Sequence, residues 1–119
     1  MTDKLLTWYK SQIESLDPKG EIVQIDTQAA LIIYCSEIPS DESRQRPITP
    51  EELVHALIIC ILASTEFQYP VGKLYHEKHF AHGSNGSLSD EVDILILDSD
   101  NLAFAVWELK SAKDFQSER

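Results

Sequence analysis

The sequence predicts one domain of mixed α/β (α+β) class, on three observations. A capped apolar helix occupies the middle of the chain, β-branched runs pair around polar turns on both sides of it, and 119 residues suffice for a single core. Hydrophobic residues make up 43% and charged residues 25%, as in an ordinary globular domain, so the whole of 1–119 is read as one unit.

In "TDKLLTWYKSQIESL", Leu5, Leu6, Trp8, Tyr9, Ile13 and Leu16 recur at helical spacing, and Asp17-Pro18 with Gly20 ends the run. A first helix is predicted there. "EIVQIDTQAALIIYCSEI" holds two β-branched runs around Asp26-Thr27-Gln28, the pattern of a hairpin. "PSDESRQRPITP" is polar, aperiodic and proline-rich, so it reads as a connecting loop with Arg44 and Arg46 in solvent.

"TPEELVHALIICILASTEF" is the strongest helix signal. Thr49 can cap it, Pro50 fits the first helical position because no N–H is needed there, and Thr49-x-x-Glu52 spells a capping box. Val54, Leu57, Ile58, Ile61 and Leu62 form a helical stripe, with Leu53, Ile59 and Cys60 on further faces, so the helix should be well buried. "KLYHEKHF" then reads as a strand, "AHGSNGSLSD" as a loop, "EVDILIL" and "LAFAVWELK" as strands around the turn "DSDN", and "SAKDFQSER" as the start of a helix.

Several chemistries are disfavoured. His76, His79 and His82 stand three apart, which on a strand turns the middle ring away from the outer two and argues against zinc. "GSNGS" lacks the Gly-Lys-Ser/Thr ending of a phosphate loop, and no serine or cysteine carries a nucleophile signature. Cys35 and Cys60 lie in apolar runs and read as reduced thiols. The apolar run from Leu53 to Ala63 is too short to span a bilayer, and the first residues lack a basic-then-apolar signal, so a cytoplasmic protein with no membrane partner is expected. The net charge of −10, from 20 acids against 10 lysines and arginines, argues against an extended basic surface for nucleic acid. An acidic catalytic module remains compatible with DNA if a neighbouring domain supplies the grip.

The last predicted hairpin carries the chemistry. With a turn over Asp98 to Asn101, Leu97 faces Leu102 and Asp93 faces Val106, so Glu108 becomes a diagonal neighbour of Asp93 within roughly 7–8 Å on one face, with Lys110 beyond it. Two carboxylates converging on an apolar sheet repel unless a proton, a lysine or a cation compensates them, and Lys110 supplies one charge. A hard divalent cation such as Mg2+ fits better, since it takes one or two carboxylates with water and substrate phosphate, and a strand carbonyl can add a ligand. Read alone, "ELK" fits better as a solvated strand end, with Asp93 merely paired to Lys110. Asp93, placed 15 residues earlier in a hairpin of the correct parity, favours a metal site for phosphodiester hydrolysis.

Asp93 followed by Glu108-Leu109-Lys110, with an acidic helix before them, resembles the PD-(D/E)xK nuclease superfamily. More closely, "RPITPEELVHALIICIL", "YPVGKLYHEKHF" and "EVDILILDSDNLAFAVWELKSAKDF" resemble the amino-terminal nuclease domain of type I restriction enzyme R subunits, over about residues 46 to 115. That resemblance implies a restriction-endonuclease-like mixed central sheet flanked by helices. It implies Mg2+ or Mn2+ held by Asp93, Glu108 and the Leu109 carbonyl, Lys110 at the nucleophilic water, and Glu52 rather than Glu51 as the helix acid. The implied activity is metal-dependent DNA cleavage in a restriction-type system, with DNA, further restriction-enzyme domains or subunits and a second copy of the chain as partners. The alternative is a catalytically degenerate nuclease fold kept for DNA binding or assembly. Val92 replaces the family's proline and His55 a frequent arginine. The family's core continues past the equivalent of residue 119, so a truncated, fragment-like domain is expected.

Overall fold

Thr2 starts the chain's first helix by accepting the Leu5 N–H on its hydroxyl at 3.2 Å. The computed structural model describes residues 2–64, 67–81 and 89–107. Their elements are α1 (Asp3–Leu16), β1 (Val23–Asp26), β2 (Leu31–Tyr34), β3 (Gln45–Pro47), α2 (Pro50–Ser64), a 3-10 turn (Val71–Lys73), β4 (Leu74–Ala81), β5 (Ser89–Leu97) and β6 (Ala103–Trp107). The fold is mixed α and β, with two three-stranded antiparallel sheets ordered β1-β2-β3 and β4-β5-β6.

Ile13 is the buried anchor of α1, with Leu6, Tyr9 and Leu16 packed beside it, whereas Trp8 lies off that stripe and is 53% exposed. Asp17 does more than stop the helix. Its buried carboxylate accepts the N–H groups of Glu21, Ile22 and Val23 at 2.9–3.0 Å, which ties the end of α1 to the start of β1.

The expected first hairpin forms, with Val23 paired to Tyr34 and Asp26 to Leu31. The polar segment after it is not all loop. Gln45–Pro47 adds β3 to β2, and Pro47 is tolerated because β3 is an edge strand. Three residues without alternation leave no sequence signal for such a strand.

Thr49 caps α2 as expected, taking the Glu52 N–H on Oγ1 at 3.1 Å. The deeply buried face is turned from the expected stripe: it comprises Glu52, Leu53, His55, Ala56, Ile59, Cys60 and Leu62, while Val54, Leu57, Ile58 and Ile61 are half-buried. Leu53 and Ile59 meet Ile32 and Tyr34 of β2, Leu74 of β4 and Ile94 and Ile96 of β5 in one core. Each large apolar side chain so buried stabilises the fold by roughly 1.5–3 kcal/mol. Both cysteines are free thiols, and burial pushes that of Cys60 up to about 12. Among the described residues no helix is long and apolar enough to cross a membrane.

The register of the final hairpin differs from expectation. Val106 pairs with Leu95 instead of Asp93, and Leu97 with Ala103 instead of Leu102. The cause is local: Asp98 Oδ1 accepts the N–H groups of Asp100 and Leu102, which lengthens the turn, and the ladder shifts again between Ile96 and Leu97. Val106 is displaced by two residues, an even slip that does not exchange the faces of the ladder.

Candidate metal centre

Two elements bring the site together. Glu52 and His55 lie three apart on the buried face of α2, one helical turn, so both side chains project the same way. His76 and Glu77 are consecutive on β4, where regular alternation would send them to opposite faces, yet both are buried. Glu77 has a φ of 56°, and the pairing of β4 with β5 passes from His76↔Ile94 to Lys78↔Val92. A left-handed residue without glycine costs roughly 1–2 kcal/mol, and it is the kink that lets adjacent side chains enter one cluster.

Within that cluster His55 Nδ1 stands 3.3 Å from His76 Nε2, and His76 Nε2 stands 2.9 Å from Glu52 Oε2. His55 Nδ1 is 3.7 Å from both Glu52 Oε2 and Glu77 Oε1, and His76 Nε2 is 3.6 Å from Glu77 Oε1. The outer carboxylate oxygens face a guanidinium. Arg46 sets Nε 3.3 Å from Glu52 Oε1 and Nη2 3.1 Å from Glu77 Oε2, with Nη1 reaching Glu42 at the rim. Tyr34 donates its hydroxyl to Glu52 Oε2 at 2.5 Å and packs its ring on His76, with centroids 4.3 Å apart. His76 is fully buried, and among the described residues its Nδ1 has no hydrogen-bond partner.

Electrostatics follow from this packing. Burial alone would raise the Glu52 carboxyl, but hydrogen bonds from His55, His76 and Tyr34 outweigh it and hold the group well below the usual carboxylate range. Burial alone would lower His55, but hydrogen bonding to Glu52 and the charges of Glu52, Asp93 and Glu77 raise it. Burial and then Glu52 push the Tyr34 hydroxyl well above its ordinary value, so it stays a donor. Neutral imidazole nitrogens and carboxylate oxygens are both metal ligands, and a ligand atom from each of Glu52, His55, His76 and Glu77 lies within 4.8 Å of the others. The buried cluster could therefore hold a metal ion.

The site residues expected from sequence are only partly brought together. Glu52 is buried in the cluster and Glu51 is exposed. Glu52 does not close the capping box, because Tyr34 and Arg46 engage its carboxylate and not the Thr49 N–H. Asp93 lies on β5 with its carboxylate 3.9 Å from His55 Nε2, so the one imidazole has Glu52 on one side and Asp93 on the other. Glu108, Leu109 and Lys110 lie outside the described residues, as do His82, most of the "AHGSNGSLSD" segment and the "SAKDFQSER" segment. Arg46 is not a free solvated cation, since it bridges two buried carboxylates.

His55, His76, Glu77 and Arg46 are members that the sequence reading missed. One signal was present, an acid and a histidine three apart on a helix face otherwise made of Leu53, Ala56, Ile59 and Cys60. Compared with family models, curated proteins and solved structures, the chain matches none.

Proposed function

We propose that the chain is a nuclease-type module that hydrolyses DNA phosphodiester bonds with Mg2+ or Mn2+, of the PD-(D/E)xK, restriction-endonuclease-like kind, working within a type I restriction-type assembly. One observation carries the reading: the helix acid Glu52 and the strand acid Asp93 flank the same ring, His55, at 3.7 and 3.9 Å. Asp93 precedes Ile94 and Glu108 follows Trp107 in sequence, and Ile94 and Trp107 are partners in the ladder. The isolated parallel bridge between Ser40, in the segment between β2 and β3, and His76 of β4 adds one parallel pairing beside the two antiparallel sheets.

The donor set fits a hard cation. Asp93 keeps 19% of its side chain exposed, so one carboxylate faces solvent and incoming phosphate. Asp93, Glu108 and the Leu109 carbonyl would hold the ion, which supplies Lewis-acid polarisation and a water of lowered pKa. Lys110 would serve to orient the attacking water and to offset the charge that develops on the phosphate. With a net charge of −10, the chain leaves the grip on DNA to neighbouring domains.

A second reading, a degenerate nuclease fold kept for DNA binding or assembly, is favoured by Arg46. The guanidinium bridges Glu52 and Glu77 and so offsets their charge with no metal bound. Melting curves with Mg2+ or Mn2+ separate the two. The nuclease reading expects stabilisation of about 2.7 kcal/mol at a hundred times the dissociation constant. It expects that shift to vanish in Asp93→Asn and Glu108→Gln, and Lys110→Ala to keep the shift but lose cleavage. Equal shifts in wild type, Asp93→Asn and Glu108→Gln favour the degenerate module.

A further inference from the structure

We infer that Glu52, His55, His76 and Glu77 form a second metal site, a tetrahedral N2O2 clasp between α2 and β4 for a zinc-class transition-metal dication, separate from the hydrolytic ion. It shares Glu52 with the nuclease reading and does not rest on it.

Geometry distinguishes the metal class. Ligand bonds of ~2.0–2.2 Å in a tetrahedron give ligand-to-ligand edges of about 3.3–3.6 Å. The five edges measured among the inner atoms are 2.9, 3.3, 3.6, 3.7 and 3.7 Å, so the donors already surround one centre. Octahedral Mg2+ at ~2.0–2.1 Å requires adjacent ligands about 2.9 Å apart and prefers oxygen and retained water, neither of which a buried pair of imidazoles provides. Imidazole with carboxylate suits zinc.

The surroundings are arranged as an outer shell. Arg46 takes Glu52 Oε1 and Glu77 Oε2, which aims Glu52 Oε2 and Glu77 Oε1 at the two ring nitrogens. Tyr34 holds Glu52 Oε2, whose second lone pair stays available. Beyond His55, Asp93 faces the other ring nitrogen, as carboxylates do behind metal-bound histidines. Glu52, Glu77 and Asp93 against Arg46 leave two negative charges around the centre, which a dication neutralises; Glu42 contributes at the exposed rim. His76 is fully buried with Nδ1 unpartnered among the described residues, so its packing directs Nε2 into the cluster without a complete hydrogen-bond network there to justify the burial.

Cobalt(II) reports coordination number directly, through the intensity of its visible d–d absorption. The intact protein should give the intense tetrahedral spectrum with Co2+ and lose it on adding one equivalent of Zn2+, with excess Mg2+ having no effect. His55→Gln and Glu77→Gln should each weaken Co2+ binding by at least roughly the 10–100-fold typical of disturbing a metal's outer shell. A weak octahedral spectrum, no binding by wild type, or unchanged affinity in His55→Gln overturns the clasp; the wild-type spectrum decides even if a variant does not fold. Asp93→Asn keeps all four donors. A tetrahedral spectrum retained in Asp93→Asn together with lost Mg2+-dependent cleavage supports both sites, whereas a retained spectrum with undiminished cleavage overturns the nuclease reading alone.

Discussion

His55 on α2 and His76 on β4 hold ring nitrogens 3.3 Å apart, each within reach of Glu52 and Glu77. The pair sits in surroundings that hold the Glu52 carboxyl below its usual range and raise the His55 imidazole. Its stability must depend on pH. Glu52 is depressed, so its contribution is present above the unfolded carboxylate pKa of roughly 4.3 and is lost as pH falls. His55 is raised, so its contribution is full below the unfolded imidazole pKa of roughly 6.5 and is lost as pH rises through the folded value. Urea unfolding of metal-free protein should show greatest stability between these limits, and His55→Gln should remove the decline on the alkaline side. A flat profile across that decline in wild type contradicts the assignment.

Glu51 and Glu52 differ in burial, and their variants should differ accordingly. Glu52→Gln leaves Arg46 with a weaker partner and should cost about 1–3 kcal/mol, the range for a damaged buried polar interaction. Glu51→Gln is a surface change and should stay within about 0.5 kcal/mol. Thr49→Ala removes the cap and should cost about 1 kcal/mol without altering metal affinity. Denaturant titrations with matched metal titrations check all three.

Arg46→Met exposes what the guanidinium does. Removing one partner of a buried ion pair typically costs roughly 3–5 kcal/mol, and the lower end applies because Arg46 is 24% exposed. Zn2+ should restore part of this loss, since a dication supplies the missing charge. A variant as stable as wild type without metal shows that the bridge is dispensable.

Asp17 lies far from the cluster in sequence and tests the scaffold. Asp17→Ala abandons three N–H groups at the junction of α1 and β1 and should lower stability by at least roughly 2 kcal/mol. Binding of Co2+ should be unchanged while the protein is folded. Circular dichroism and the cobalt spectrum measure the two effects separately.

The elements with strong local signals were legible. Thr49-Pro50 and the apolar run announced α2, and the β-branched runs flanking Asp26 announced β1 and β2, because caps and periodicity are local properties. The cluster was legible only in part, because its geometry depends on non-local facts. Arg46 reaches Glu77 across 31 positions of sequence, and nothing within the polar segment indicates that partner. Glu77 defeats an argument from alternation, since its left-handed backbone puts it beside His76 when a regular strand would separate them. The same alternation argument had dismissed histidine ligation on this strand. His76 instead finds its partner, His55, on a helix. The final register was missed through one side chain, Asp98, whose capture of the Leu102 N–H changes the turn.

Cleavage of supercoiled plasmid DNA by the chain together with the assembly that supplies its grip on DNA, compared with Asp93→Asn in Mg2+ or Mn2+, tests the proposed function most directly. Nicking or linearisation that requires the ion, stops on chelation and disappears in Asp93→Asn is the expected result. A wild-type protein that leaves DNA intact with either ion, or an Asp93→Asn variant that cuts as well as wild type, contradicts it.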